Sequence, residues 1–184
     1  SRVAYRTGTP DGLFIHTLPV ESSMATQSAS NAITDSAASA TAMATGTKVE
    51  NGAVSVMLPG DGRDLTTILE LAKADGRAVG LVTTTFMTHA TPAAFGAHVD
   101  VRSDYAGIAA DYLAGSQPNV LFGGGGYGPE TTELEAAGYT VVTTADALAA
   151  HVAAVTAAGQ QGAGPGFTAA LIGDGHLTYL LSRT

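Results

Sequence analysis

From residue 64 to residue 172 the chain alternates short apolar, β-branched runs with stretches of helical spacing, and this alternation limits the fold more than any other feature. Ala78 to Thr83 is a run of the kind buried in parallel sheets, and further strands are predicted at 119–122, 139–142 and 168–172. Helices are predicted between them, at 104–114, 130–137 and 145–158. Asp64 can cap an earlier helix, in which Leu65, Ile68, Leu69 and Ala72 share one face before Gly76 ends it. Alternating helices and strands bury their apolar sides most simply as layers, so the expected fold is an α/β three-layer sandwich around a mostly parallel sheet.

Upstream of this pattern, Gly8, Pro10, Gly12 and Pro19 break up residues 1–32, where loop and a short strand are expected. The small residues that follow Thr34 open with capping side chains and close on Gly46, as a short helix would. There is no repeat at fixed period, and the Gly/Gln/Pro stretch 159–166 reads as a flexible loop rather than a domain linker. The 184 residues therefore read as one domain or one large part of a bigger one, starting part-way into a fold.

Composition narrows the partners. A net charge of −8 opposes a nucleic-acid backbone or an anionic membrane surface as the main partner, because both repel an acidic chain. With no cysteine there is neither a disulfide framework nor a thiolate metal site. No apolar run approaches the roughly 20 residues needed to span a bilayer, and Ser1 to Tyr5 lack the apolar core of a signal peptide.

The sharpest local signal is Ile33-Thr34-Asp35-Ser36-Ala37-Ala38-Ser39-Ala40-Thr41-Ala42, which puts Ser36 in the first turn of the predicted helix. Unpaired N–H groups and the positive end of the helix dipole there favour an alkoxide or a bound phosphate. A serine hydroxyl is a weak nucleophile unless a base or a metal ion activates it, and no histidine lies close in sequence. Helix chemistry alone leaves a plainer reading open, in which Asp35 or Thr34 is an N-cap and the alanines pack against a sheet.

Thr34 to Ala42, continued by Met43-Ala44-Thr45-Gly46-Thr47-Lys48, resembles the nucleophile signature of the alkaline phosphatases. A second segment, Val79 to Thr85 followed by Thr88-His89-Ala90-Thr91-Pro92-Ala93-Ala94-Phe95-Gly96-Ala97-His98-Val99, is similar to the same family at the expected later position. The resemblance implies an incomplete alkaline-phosphatase-like fold covering residues 1–184, truncated at both ends. It also implies a phosphomonoesterase in which two zinc ions activate Ser36 to form a phosphoserine intermediate. Ser36 would itself be a metal ligand, His89 and Thr91 would belong to a magnesium position, Arg102 would clamp the phosphate and Asp35 would orient Arg102. A guanidinium suits that task because its paired donors match two phosphate oxygens and stay charged at alkaline pH. Without the resemblance, His89 is an ordinary loop histidine, Thr91 a turn residue before Pro92, and Arg102 a surface residue paired with Asp100 or Asp104.

Two weaker signals stand apart. Gly123 to Gly126 lacks the offsets of a dinucleotide loop and reads as backbone packing after a strand. Asp174 and His176 end the last strand as plausible metal ligands, but their context resembles the segment before the family's metal-rich second half. The upstream aspartate and the downstream aspartates, glutamate and histidines of the family's metal positions have no counterpart here, so the isolated chain is expected to be inactive. By resemblance the complete enzyme would act on phosphomonoesters, release inorganic phosphate, form a homodimer and lie in the periplasm or outside the cell. A related phosphodiesterase or sulfatase, or a non-catalytic anion-binding module, are the competing readings.

Overall fold

The computed structural model describes Gly8 and residues 14–20, 22–157 and 166–178. Its centre is a sheet of β1 (Gly80–Phe86), β2 (Val120–Gly124), β3 (Tyr139–Val142) and β4 (Phe167–Leu171), all parallel and ordered β1-β2-β4-β3. Leu81, Leu121, Ala169 and Val141 are register partners and share one face; Val82, Phe122, Ala170 and Val142 share the other.

Among the described residues six α-helices accompany the sheet: α1 (Ser36–Thr45), α2 (Ile68–Ala74), α3 (Ala90–Gly96), α4 (Tyr105–Ala110), α5 (Thr131–Ala136) and α6 (Ala145–Ala157). The Leu81 face is covered by α3 and by the π-helical turn Asp111–Gly115 that continues α4. They approach so closely that a Cβ on Gly96 would sit 3.0 Å from Ser116 Oγ and 3.2 Å from the Tyr112 ring. On the opposite face His151 of α6 reaches Thr168 of β4, Nε2 to Oγ1 at 3.1 Å. The parallel α/β sandwich expected from the alternation is the architecture observed.

The largest core cluster joins the sheet residues Leu81, Leu121 and Ala169 to Ala37 and Ala40 of α1, Ala90, Ala93 and Ala94 of α3, and Ile108 and Tyr112. Alanines on both helices keep the gap between α1 and α3 narrow, since interaxial distance is set by the side chains at the contact. Polar groups lock the same region. Ser55 receives nothing from solvent: its N–H donates to Thr41 Oγ1 (2.9 Å), its hydroxyl to the Ala94 carbonyl (2.6 Å), and its carbonyl meets His98 Nδ1 (2.9 Å). One residue thus ties α1, α3 and the segment after α3 together.

Several boundaries differ from expectation for local reasons. The second helix starts at Ile68, not after Asp64, because Asp64 pairs with Val56 in an isolated bridge and Leu65 N–H donates to the Ser55 carbonyl. Its cap is Thr67, which forms a capping box with Glu70. β1 runs on through Thr83–Thr85 to Phe86, as β-branched residues allow. α3 was not expected; Pro92 lies in its first turn, where a missing N–H costs no helical bond. Among the described residues before Ser36 there is a 3-10 turn, Phe14–Thr17, and no strand. Most of the predicted loop 159–166 and residue 158 lie outside the described residues.

Candidate active site

Asp35 caps α1 with φ −92° and ψ 179°, and its Oδ1 accepts the Ala38 N–H at 2.9 Å. Gly46, at φ 73°, closes the helix by donating to the Ala42 carbonyl at 3.0 Å. Ser36 is therefore the first helical residue, and its own N–H and that of Ala37 face no acceptor among the described residues. Ala37 is fully buried, so it is the Ser36 N–H and the dipole behind it that make the ground beside Ser36 Oγ attractive to an anion.

Arg102 comes to this helix end from a loop 66 residues away. Its Nη1 donates to Ser36 Oγ at 2.6 Å and to Asp35 Oδ2 at 3.2 Å, and its Nη2 lies 3.3 Å from His89 Nε2. Asp35, not Asp100 or Asp104, is its carboxylate partner. Both residues are partly exposed, so the pair is worth more as a positioning device than as stabilisation.

His89 caps α3 without a side-chain bond to it. Burial, reinforced by the positive charge of Arg102 and by His176, holds its imidazole below the ordinary histidine value, so the ring is neutral at neutral and alkaline pH. With Nε2 accepting from Arg102 the proton lies on Nδ1, a buried nitrogen that has no hydrogen-bond partner. Phe86 packs its ring 5.2 Å from His89, 4.5 Å from Tyr127, 5.1 Å from His176 and 5.5 Å from Tyr105, centroid to centroid.

Asp35, Ser36, His89 and Arg102 are thus joined by hydrogen bonds, whereas Thr91 is not part of the group. Thr91 is exposed and lines a hollow of about 280 Å³ with Gly80, Leu81, Val82, Thr83, Pro92 and Phe95. His176 stands 5.8 Å from His89, ring to ring, while the Asp174 carbonyl lies against Gly126. The glycine run packs backbone on backbone: a Cβ on Gly124 would collide with the Gly175 carbonyl, and one on Gly126 would lie 2.5 Å from the Asp174 carbonyl oxygen.

A metal needs more than this. Among the described residues no three His, Cys, Asp or Glu side chains are grouped to hold an ion, and the lone pair of His89 Nε2 is engaged by Arg102. Ser36, His89 and Thr91 alone do not amount to a zinc or magnesium site.

The sequence model of the family described as alkaline phosphatase matches residues 4–127. The chain belongs to the alkaline phosphatase family. It is 42% identical over 127 residues to alkaline phosphatase 4 of Bacillus subtilis, covering 63% of this chain and 27% of that protein. It is 42% identical over 148 residues to the streptomycin-6-phosphate phosphatase of Streptomyces griseus, covering 64% of this chain and 33% of the other. Cold-active alkaline phosphatase from the psychrophile Shewanella sp. superposes with a TM-score of 0.73 at 38% identity, over 87% of this chain and 38% of that one. A histidine-to-aspartate variant of the alkaline phosphatase TAB5, with Mg bound in its M3 site, superposes with a TM-score of 0.70 at 27% identity, over 87% of this chain and 45% of that one. The chain therefore spans about a quarter to a third of these curated relatives.

Within this alkaline phosphatase fold, the residues that sequence reasoning missed are Asn51 and Gly52. Asn51-Gly52 carries a turn signal that marks a sharp reversal but not what the turn would touch. Phe86 lies past the strand expected at 78–83 and, by the family resemblance, where an arginine or similar residue is usual; what it touches is not legible in the sequence, because its aromatic neighbours come from four different segments.

Proposed function

We propose that this chain is part of a longer phosphomonoesterase domain in which Ser36 is the nucleophile and Arg102 holds the transferring phosphoryl group. The observation that carries this reading is the 2.6 Å bond from Arg102 Nη1 to Ser36 Oγ at the open end of α1. A phosphate oxygen placed against the Ser36 N–H would also lie within reach of the guanidinium, so helix end and arginine act on the same charge.

In the first step the Ser36 oxygen bonds to phosphorus, the P–O bond to the leaving group breaks, and the alcohol departs with a proton. In the second, water attacks the phosphoseryl phosphorus and returns Ser36 with release of inorganic phosphate. Arg102 and the Ser36 N–H hold the charge that accumulates on the equatorial oxygens in both steps. Asp35 keeps Arg102 aimed, and the neutral ring of His89 flanks the guanidinium without adding to its charge.

Among the described residues no side chain in hydrogen-bond contact with Ser36 Oγ can act as base, because its partner Arg102 is a donor only. Activation therefore calls for a group from outside the described residues, and the zinc and magnesium implied by the family resemblance would need ligands from there as well. The resemblance extends the proposal to a homodimer and to a periplasmic or secreted location. Hydrolysis of p-nitrophenyl phosphate with zinc and magnesium tests the reading. A chain extended to the length of its relatives turns over and loses turnover with Ser36→Ala, while the 184-residue chain is inactive. Equal turnover by the Ser36→Ala variant overturns it. A phosphodiesterase or sulfatase would instead favour a diester or a sulfate ester in the same assay.

A further inference from the structure

Resting on the phosphate-binding role of Arg102, we propose that the Asn51-Gly52 turn is a positioning element that aims Arg102 and thereby sets phosphate affinity. The turn bonds to both sides of the site at once. Asn51 Oδ1 accepts the Asp35 N–H at 3.2 Å and Asn51 Nδ2 donates to the Ile33 carbonyl at 3.0 Å, so the side chain grips the backbone on either side of Thr34. Gly52 N–H donates to Asp35 Oδ2 at 3.2 Å, and the Gly52 carbonyl accepts the Arg102 N–H at 2.8 Å.

These bonds fix the two partners relative to each other. Asp35 Oδ1 is occupied by the Ala38 N–H, and Oδ2 receives both Gly52 N–H and Arg102 Nη1, so the carboxylate cannot rotate without losing a donor. Arg102 is held at its main chain by Gly52 and at its guanidinium by Asp35, which Gly52 also holds. A long side chain anchored only at its tip keeps several rotamers; anchored at both ends it presents one fork. Gly52 can make both bonds because its φ of 95° lies where other residues are strained. Neither residue contacts Ser36 Oγ, so any effect on binding has to pass through Asp35 and Arg102.

The test uses the relatives-length protein and inorganic phosphate, with affinity measured by calorimetry and folding followed by thermal unfolding. Asn51→Ala is expected to weaken phosphate binding about tenfold, the scale of one misplaced charge-assisted bond. In an Arg102→Ala background the same substitution should change affinity by less than about twofold, because residues acting through one group are not additive. If Asn51→Ala destabilises too far to measure, Asn51→Ser serves, since a short hydroxyl keeps the position polar but cannot span the bonds to both the Asp35 N–H and the Ile33 carbonyl. Unchanged affinity, or equal losses with and without Arg102, overturns the proposal. The readout needs no turnover: a protein that binds phosphate through Asn51 and Arg102 yet hydrolyses nothing keeps this inference and removes the phosphatase reading. If Arg102→Ala leaves phosphate affinity intact, both fail.

Discussion

α1 and α6 are both built largely of alanine, yet five of the ten residues of α1 are buried and none of α6. Composition does not explain the contrast; what lies opposite does. α1 faces the buried alanines of α3 across a gap lined by small side chains, with Thr41 and Ser55 bonding at its flank. α6 lies on the outer face of β4, where the bond that ties it down is a surface-near contact from His151 to Thr168. The proposed nucleophile sits on the helix that is enclosed, so the position of Ser36 follows from close main-chain packing, not from the preferences of α1 alone.

The largest expected difference between the two helices is catalytic. In the relatives-length protein Ser36→Ala should lower kcat for p-nitrophenyl phosphate by about a thousandfold or more, while His151→Ala on α6 leaves it unchanged. Arg102→Ala should cost about a hundredfold or more in kcat/KM, as loss of a principal charge-stabilising donor does elsewhere. Comparable losses from α6 would break the distinction.

Packing should separate them next. Ala93→Leu, opposite α1 and fully buried, should destabilise by about 1–3 kcal/mol, whereas Ala150→Leu on exposed α6 should stay within about 0.5 kcal/mol in denaturant unfolding. Equal costs would mean that the enclosed helix has slack that the alanine contacts do not suggest.

The smallest effect is a pH dependence confined to the enclosed side. Both ring nitrogens of His98 meet acceptors, Nδ1 the Ser55 carbonyl at 2.9 Å and Nε2 Glu70 Oε1 at 3.0 Å, so only the imidazolium satisfies both. Burial opposes that charge, but the Ser55 carbonyl, the Glu70 carboxylate and the Asp64 charge outweigh it and raise the His98 value. Its stabilisation is therefore full below the unfolded value of about 6.5 and is lost as pH rises through the higher folded one. The gap in unfolding temperature between the native chain and His98→Gln should narrow as pH rises above neutral. A constant gap would show that His98 does not titrate in the fold.

Much of this was legible in the chain because it depended on near neighbours. Asp35 and Gly46 bracket α1 within one short segment, and the β-branched runs mark the strands. Arg102 and His89 could be singled out only through the family motif, since what they touch lies 66 and 13 residues from Arg102 along the chain. The alternatives that local reasoning favours for Arg102, Asp100 and Asp104, are near in sequence but are not its partners. α3 escaped notice because seven residues with a proline and a glycine carry little helical period. Asn51 escaped because a turn signal says where the chain reverses and nothing about the backbone it will hold.

The contact between the glycine run and Gly173–Gly175 has a consequence for how such a site can diversify. Two loops that meet main chain to main chain offer no side chain to exchange, and almost any substitution at Gly124 or Gly126 pushes them apart. That border is closed to gradual tuning. Variation beside this border would have to enter instead through Tyr105, Tyr127 and His176, side chains around Phe86 that are at least partly exposed and can be traded one at a time.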